Sequence, residues 1–206
     1  MRIVVTRAPG RSGEFRRRLV EAGHEVSAIP LTEVRDSTPF PSPAGYDGVL
    51  FTSVAAVERA PRGVLWPRVG AVGPATAAAL RARGIRVDVW GAAGGAALAS
   101  AWGDPRGEHL LLPQAAEAHP ALAARLREGG ARVDAVAVYR TLPRTDLASG
   151  ERAALAAADL LCFFAPSAVR AYLSLGLARR GRCWGVGPTT RQAILEGNLD
   201  PLDDLL

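Results

Sequence analysis

Short apolar runs recur along the chain and alternate with stretches rich in alanine and arginine, in which apolar positions repeat every three or four residues. The runs are "RIVVT", "EVSAIP", "GVLFT", "RVGAVG", "RVDVW", "HLLLP", "RVDAVAVYR", "LLCFF" and "CWGVG". Most are continuously apolar rather than alternating, the pattern of strands covered on both faces. Nine strands separated by helical patterns predict an α/β architecture with parallel sheets. Nine strands are many for one sheet in a chain of 206 residues.

Proline- and glycine-rich segments at Ser37–Gly45 and Leu142–Gly150 break the pattern and bracket the middle of the chain. The two parts echo each other. "VLFTSVAAV" (Val49–Val57) has a counterpart in "LCFFAPSAV" (Leu161–Val169), and "VGAVGPATAAAL" (Val69–Leu80) in "WGVGPTTRQAI" (Trp184–Ile194). Each part therefore reads strand, turn, helix, strand, Gly-Pro, helix. Residues before about position 35 hold two strands and need the C-terminal third to complete a sheet. The expected organisation is two similar three-layer α/β domains. Residues 1–35 plus 142–206 form a discontinuous domain, and 36–141 an inserted one. "PLTEV" (Pro30–Val34) and "VAVYRT" (Val136–Thr141) are the two crossings, able to pair as a two-stranded hinge.

Composition narrows the chemistry. With 49% hydrophobic residues the chain can bury packed cores. No apolar run approaches the roughly 18 to 20 residues of a membrane span, and the N-terminus enters a strand without signal-peptide regions. A cytoplasmic protein with no membrane partner is expected. Cys162 and Cys183 lie in apolar strand-like runs and read as small hydrophobes, not as a disulfide or metal pair. All 25 basic residues are arginine, which excludes lysine Schiff-base and lysine general-base mechanisms. A net charge of +5 and a pI near 10.2 favour an anionic partner. The arginine clusters at Arg16–Arg18 and Ala178–Arg182 read as a solvated helix face and a polar loop, and no nucleic-acid motif accompanies them.

In parallel α/β sheets ligands bind beyond the carboxyl ends of the strands. The residues there are of one chemical kind: Thr6 and Arg7 after the first strand, Thr52 and Ser53 after the third, Thr76 and Thr189-Thr190 after the two Gly-Pro turns, and Ser167 after its own strand. Proline in the first helical turn sacrifices an amide that had no partner, while neighbouring amides stay available. Such amides, with hydroxyls beside them and the positive end of the helix dipole, bind carboxylates or phosphates. A threonine at one helix start is ordinary capping; its recurrence in both halves, facing a shared cleft, points to an anion site. His24, His109 and His119 show no carboxylate or nucleophile partner in sequence and read as structural. "GAAGG" (Gly91–Gly95) follows a strand, but its spacing fails the dinucleotide fingerprint and reads as a permissive loop. No cofactor and no metal are expected.

These residues carry a resemblance. "VTRAPG", "PLTEV", "FTSVAAV", "AVGPAT", "VYRTLP" and "GVGPTT" recur in the order typical of the uroporphyrinogen-III synthases, across nearly the whole chain. The resemblance implies two α/β domains joined by a two-stranded ladder. It also implies cofactor-free cyclisation of hydroxymethylbilane, a linear tetrapyrrole with eight carboxylates, to uroporphyrinogen III. That is a lyase-type reaction with loss of water and inversion of ring D. It places Tyr139 near the leaving hydroxyl as an assisting hydrogen-bond donor, with simple packing of a hinge tyrosine as the competing role. It puts Thr6, Arg7, Thr52, Ser53, Thr76, Ser167, Thr189 and Thr190 on cleft-lining positions that bind carboxylates without taking part in the chemistry. A monomer is expected.

The chain departs from the family pattern in places. Phe164 and Ala165 stand where a Thr-Ser pair is common, Ala55 where a polar residue is common, and Gln114 where an arginine often follows "LLP". The C-terminal "GNLDPLDDLL" is shorter than the usual final strand and helix. These losses define an alternative, a paralogue that binds a tetrapyrrole or another polycarboxylate with weak turnover or none. A hinged sensor of the periplasmic-binding type is a third reading, disfavoured by the absent signal peptide.

Overall fold

The continuous apolar runs become parallel strands, with the alanine-rich segments packed as helices across their faces. The computed structural model describes residues 1–8, 10, 12–92, 94–178 and 181–203. Pro9 of the first motif, Ala93 of the Gly-Ala-Ala-Gly-Gly stretch, Arg179 and Arg180 of the second arginine cluster, and the last three residues lie outside that set. In chain order the elements begin β1 (Arg2–Val5), α1 (Gly13–Glu21), β2 (Glu25–Ala28), β3 (Thr32–Asp36), β4 (Gly48–Phe51), α2 (Val54–Glu58), β5 (Arg68–Val72), α3 (Gly73–Ala82) and β6 (Val89–Gly91). They continue with α4 (Gly94–Trp102), β7 (His109–Ala115), α5 (Ala121–Glu128), β8 (Arg132–Pro143), α6 (Ser149–Ala157), β9 (Leu160–Phe163), α7 (Pro166–Ser174), β10 (Arg182–Gly185) and α8 (Pro188–Glu196).

Two units emerge, Met1–Glu33 with Leu142–Leu206, and Val34–Thr141. The chain passes from one to the other along β3 and β8, which are neighbours in a sheet.

The first unit holds a sheet in the order β10-β9-β1-β2, parallel throughout. Side chains alternate across a strand, so each apolar run feeds two cores. Ile3, Val5, Leu160 and Cys162 face Leu19 of α1. Val4, Leu161 and Phe163 face Leu155 of α6, Val169 and Tyr172 of α7, and Ile194 of α8. Each such aliphatic side chain, fully buried, contributes about 1.5–3 kcal/mol. The C-terminal segment extends this layer: Leu202 donates its amide to the Cys183 carbonyl at 2.8 Å, and Cys183 donates to Asp200 at 2.7 Å. Cys162 and Cys183 are free and buried, and burial pushes the Cys162 thiol up to about 12, which leaves it inert.

The second unit holds the order β3-β8-β7-β4-β5-β6, parallel from β8 to β6. Val49, Phe51, Val69, Ala71 and Leu111 line the face under α2 and α3. Leu50, Leu110 and Leu112 line the other, with Leu98 and Trp102 of α4 and Leu122 and Leu126 of α5. A register shift interrupts the β7–β8 pairing, so that Ala137 opposes Gln114 while Tyr139 opposes Ala115. Val138 is the extra residue of this bulge. Adjacent residues that a regular strand would send to opposite faces, Val138 and Tyr139, therefore both enter the α2–α3 core.

The two Gly-Pro turns are alike in sequence and different in geometry. Helix α3 starts at Gly73, whose φ is +74°, a left-handed conformation that glycine adopts without a Cβ penalty. Helix α8 starts at Pro188, with Gly187 extended at φ −162°.

Candidate functional site

The carboxyl ends of β4, β5 and β7 open onto a cavity of about 750 Å³ in the second unit, lined among others by Thr52, Val72, Gly95, Gln114, His119 and Arg125. Thr52 is half-buried at its edge. Ser53, extended at φ −158°, caps α2: its Oγ accepts the Ala56 amide at 3.2 Å. Tyr139 reaches the same oxygen from β8 and donates its hydroxyl to it at 2.9 Å. The Tyr139 ring is 8% exposed and lies beneath the Arg59 guanidinium, 5.3 Å from its centroid. Arg59 in turn donates to the Ala55 carbonyl at 2.9 Å and pairs with Asp36 at 2.7 Å. The bulge in β8 thus aims Tyr139 at Ser53, which follows β4, and Arg59, just after α2, covers the Tyr139 ring.

Thr76 is not part of this group. It lies on the fourth residue of α3, 4% exposed, and turns into the unit. Thr76 stands three residues after Gly73, as Thr190 stands three after Gly187, and both are buried.

In the first unit the carboxyl ends of β1, β9 and β10 present Arg7, Ser167 and Thr189. Arg7 is exposed and its guanidinium lies over the Phe164 ring, 5.4 Å from the centroid. Phe164 meets Phe15 edge-on at 5.2 Å and Trp184 at 6.0 Å, so the Thr-to-Phe departure substitutes an aromatic platform for a hydroxyl. Ser167 is half-buried in the first turn of α7, and Thr189 is exposed in the first turn of α8. Thr6 and Thr190 are buried, at 3% and 2%. Thr6 spends its hydroxyl on the Cys162 carbonyl at 2.9 Å, which its amide also reaches at 3.0 Å. Neither side chain has a surface to offer a ligand.

The N-cap position of α7 is Ala165, at φ −160° and ψ 151°, almost the backbone of Ser53 at φ −158° and ψ 154°. Both units build the same turn, but only the second carries a hydroxyl on it.

Three groups escape the sequence reading. Arg59 is an isolated arginine after a short helix, with nothing in the sequence to pair it with Tyr139. His119 lines the cavity and accepts the Ala121 amide on Nδ1 at 3.2 Å, which leaves Nε2 as the donor of a neutral ring. His109 does have a carboxylate partner, contrary to expectation: its Nε2 lies 2.8 Å from Asp134 on the neighbouring strand, and Tyr46 donates to the same carboxylate oxygen at 2.9 Å. These two bonds, His109 first, hold the Asp134 carboxyl below the usual carboxylate range. The cluster sits at the amino ends of β7 and β8, away from the cavity. Among the described residues no helix is long and apolar enough to cross a membrane, and no three His, Cys, Asp or Glu side chains group to hold a metal.

Known proteins place this geometry. The fold is similar to uroporphyrinogen-III synthetase from Helicobacter pylori, with a TM-score of 0.70 and 19% identity over 98% of this chain and 91% of that one. It is also similar to a mutant uroporphyrinogen III synthase from Thermus thermophilus, with a TM-score of 0.62 and 20% identity over 98% and 90%. At these identities the likeness is one of fold. No curated protein matches in sequence. The profile of the uroporphyrinogen-III synthase HemD family, however, matches residues 13–202, which takes in Tyr139 and the strand-end hydroxyls from Thr52 to Thr190 but not Thr6, and the chain belongs to that family.

Proposed function

We propose that this chain closes hydroxymethylbilane to uroporphyrinogen III, with loss of water and inversion of ring D. It is an enzyme of the uroporphyrinogen-III synthase type. The reaction asks little of acid–base machinery and much of positioning. Loss of the ring A hydroxyl leaves an azafulvene cation. Unassisted closure at the free terminal carbon gives the type I isomer. The type III product requires the substituted carbon of ring D to attack, forming a spiro intermediate that fragments and recloses.

The observation that carries the reading is the Tyr139–Ser53 hydrogen bond beside the strand-end cavity, in a chain whose family performs this reaction. Tyr139 assists departure of the hydroxyl. Carboxylate binding is assigned, unit by unit, to Thr52 and Ser53, and to Arg7, Ser167 and Thr189. The buried Thr6, Thr76 and Thr190 support the backbone that presents these groups. A net charge of +5 favours the approach of a polyanion. The enzyme acts as a cytoplasmic monomer, without nucleic acid, in the tetrapyrrole route to heme, siroheme or cobalamin.

The test is incubation with enzymatically generated hydroxymethylbilane followed by isomer analysis. Type III product is expected at a rate above spontaneous closure; type I alone, formed at the unassisted rate, overturns the proposal.

A further inference from the structure

We propose that Ser53, not Tyr139, hands the proton to the departing hydroxyl, and that Tyr139 stands behind it as the proton's source, held in place by Arg59. The inference rests on the synthase reading above; it reassigns the group that touches the leaving oxygen and replaces carboxylate binding as the role of Ser53.

Two independent observations lead to it. The first is access. Tyr139 is 8% exposed, enclosed in the α2–α3 core by the bulge that turned it there, whereas Ser53 is only half-buried and adjoins Thr52 at the cavity edge. The second is hydrogen-bond bookkeeping. A serine oxygen has two lone pairs and one hydrogen. One lone pair of Ser53 takes the Ala56 amide at 3.2 Å and the other takes the Tyr139 hydroxyl at 2.9 Å. What remains is the serine hydrogen, so Ser53 faces its surroundings as a donor only. Tyr139 has committed its own hydrogen to Ser53. The opposite polarity pairs the weaker donor with the weaker acceptor, since a phenol donates better than an alkyl hydroxyl and accepts worse.

The step balances. The carbon–oxygen bond of the hydroxymethyl group breaks with both electrons going to oxygen. That oxygen takes the Ser53 proton and leaves as water, while Ser53 Oγ takes the phenolic proton of Tyr139. The substrate keeps the positive charge as the azafulvene cation, and the negative charge rests on Tyr139, whose ring lies under the Arg59 guanidinium. When the last pyrrole regains aromaticity after ring closure it releases one proton, which returns to Tyr139 through Ser53. Arg59 is a positioning residue. Its side chain, 18% exposed, is fixed at one end by the Ala55 carbonyl and at the other by Asp36. The equivalent turn of the first unit carries Ala165, so the relay belongs to one unit alone.

The experiment measures type III product from enzymatically generated hydroxymethylbilane, and product binding from the melting shift produced by uroporphyrinogen III. Ser53→Asn keeps an acceptor for the Ala56 amide, and so keeps α2 capped, without a hydroxyl proton. It and Tyr139→Phe are each expected to lower kcat by about 100-fold, the lower range for general acid catalysis, with product binding unchanged. The double variant should fall within about threefold of the slower single, because the two groups act as a unit. Ser53→Thr should recover most of the rate. Arg59→Gln should slow the wild-type chain by about tenfold and the Tyr139→Phe background by less than about twofold; equal losses in both overturn its role. Ser53→Asn at the wild-type rate, or losses that multiply in the double variant, overturn the relay while leaving the synthase reading standing. A wild-type chain that yields only type I product overturns both.

Discussion

Arg144 and Glu151 meet in a two-pronged ion pair within the first unit, Nη1 to Oε1 and Nη2 to Oε2 both at 3.1 Å. Arg144 also donates to the Pro30 carbonyl at 3.1 Å, and its amide to that of Leu31 at 2.9 Å. Glu151 takes the Ala148 amide at 3.0 Å, at the start of α6. One arginine therefore ties the segment leaving β8 to the segment entering β3 and to the next helix. Arg144, and after it the Ala148 amide, hold the Glu151 carboxyl below its ordinary range. A carboxyl depressed by folding stabilises the fold above its unfolded pKa, about 4.3. That contribution is lost as pH falls through the folded value. Glu151→Gln is expected to lower the melting temperature at pH 7, and the gap to the wild type should narrow as pH falls below the unfolded carboxyl value of about 4.3. Thermal melts across that range check it; a gap that persists unchanged in acid assigns the effect to packing.

The Ala165 turn yields a gain-of-stability prediction. Its backbone matches that of Ser53, yet α7 has no side-chain cap hydrogen bond. Ala165→Ser supplies the missing acceptor to the first-turn amides and should stabilise the chain by about 1 kcal/mol. The readout is a higher urea midpoint with an unchanged slope. No change in midpoint shows that the serine turns outward instead.

The same turn shows what the sequence could carry. Most strand runs were legible because burial on both faces leaves few polar positions, and each of the nine runs holds a strand. The echo between halves was legible as composition but not as geometry. Gly73-Pro74 and Gly187-Pro188 read alike, yet one glycine is left-handed and the other extended. Residue type alone could not tell Thr76 and Thr190 from Thr52 and Thr189; what separates them is position, since Thr76 and Thr190 both stand three residues after the glycine of their turns and are buried, while Thr189 is exposed one residue nearer that glycine. Arg59 and Asp134 were invisible for another reason. Their partners lie on other elements, and a pairing across a sheet or onto a bulged strand leaves no local spacing. Nothing in "VAVYRT" announces the bulge that buries Tyr139.

The Gly-Ala-Ala-Gly-Gly stretch, expected to be a permissive loop, is constrained at its first residue. Gly91 ends β6, and a Cβ there would lie 2.6 Å from Leu98 Cα and 2.7 Å from the Ala97 carbonyl carbon in α4. Backbone cannot yield as a flexible side chain can. Gly91→Ala should therefore push α4 off the sheet and cost about 1–3 kcal/mol, the range for overpacking, with a visible loss of near-ultraviolet dichroism from Trp102 beneath it. Wild-type stability in Gly91→Ala contradicts this close approach.

Adjacent threonines separate ligand binding from packing. Thr189 is exposed in the first turn of α8, while Thr190 is 2% exposed beside it. The Thr190 amide and that of Arg191 both donate to the Gly187 carbonyl, at 3.0 and 2.9 Å, and Pro188 has no amide to give. Under the proposed function, Thr189 is thus the residue through which this helix start would meet a carboxylate. A hydrogen bond to a charged group contributes about 1.5–3 kcal/mol, so Thr189→Val is expected to weaken uroporphyrinogen III binding by about 10- to 100-fold. Its melting temperature without ligand should stay near that of the wild type. The Thr189→Val loss should shrink as salt rises, because screening weakens a contact between an exposed dipole and an anion. Thr190→Val should do the reverse, changing stability and leaving affinity within about threefold, less than one broken hydrogen bond to a charged group. Titration of both variants at low and high salt measures the contrast; equal losses of affinity would mean that the helix start, and not the Thr189 hydroxyl, makes the contact.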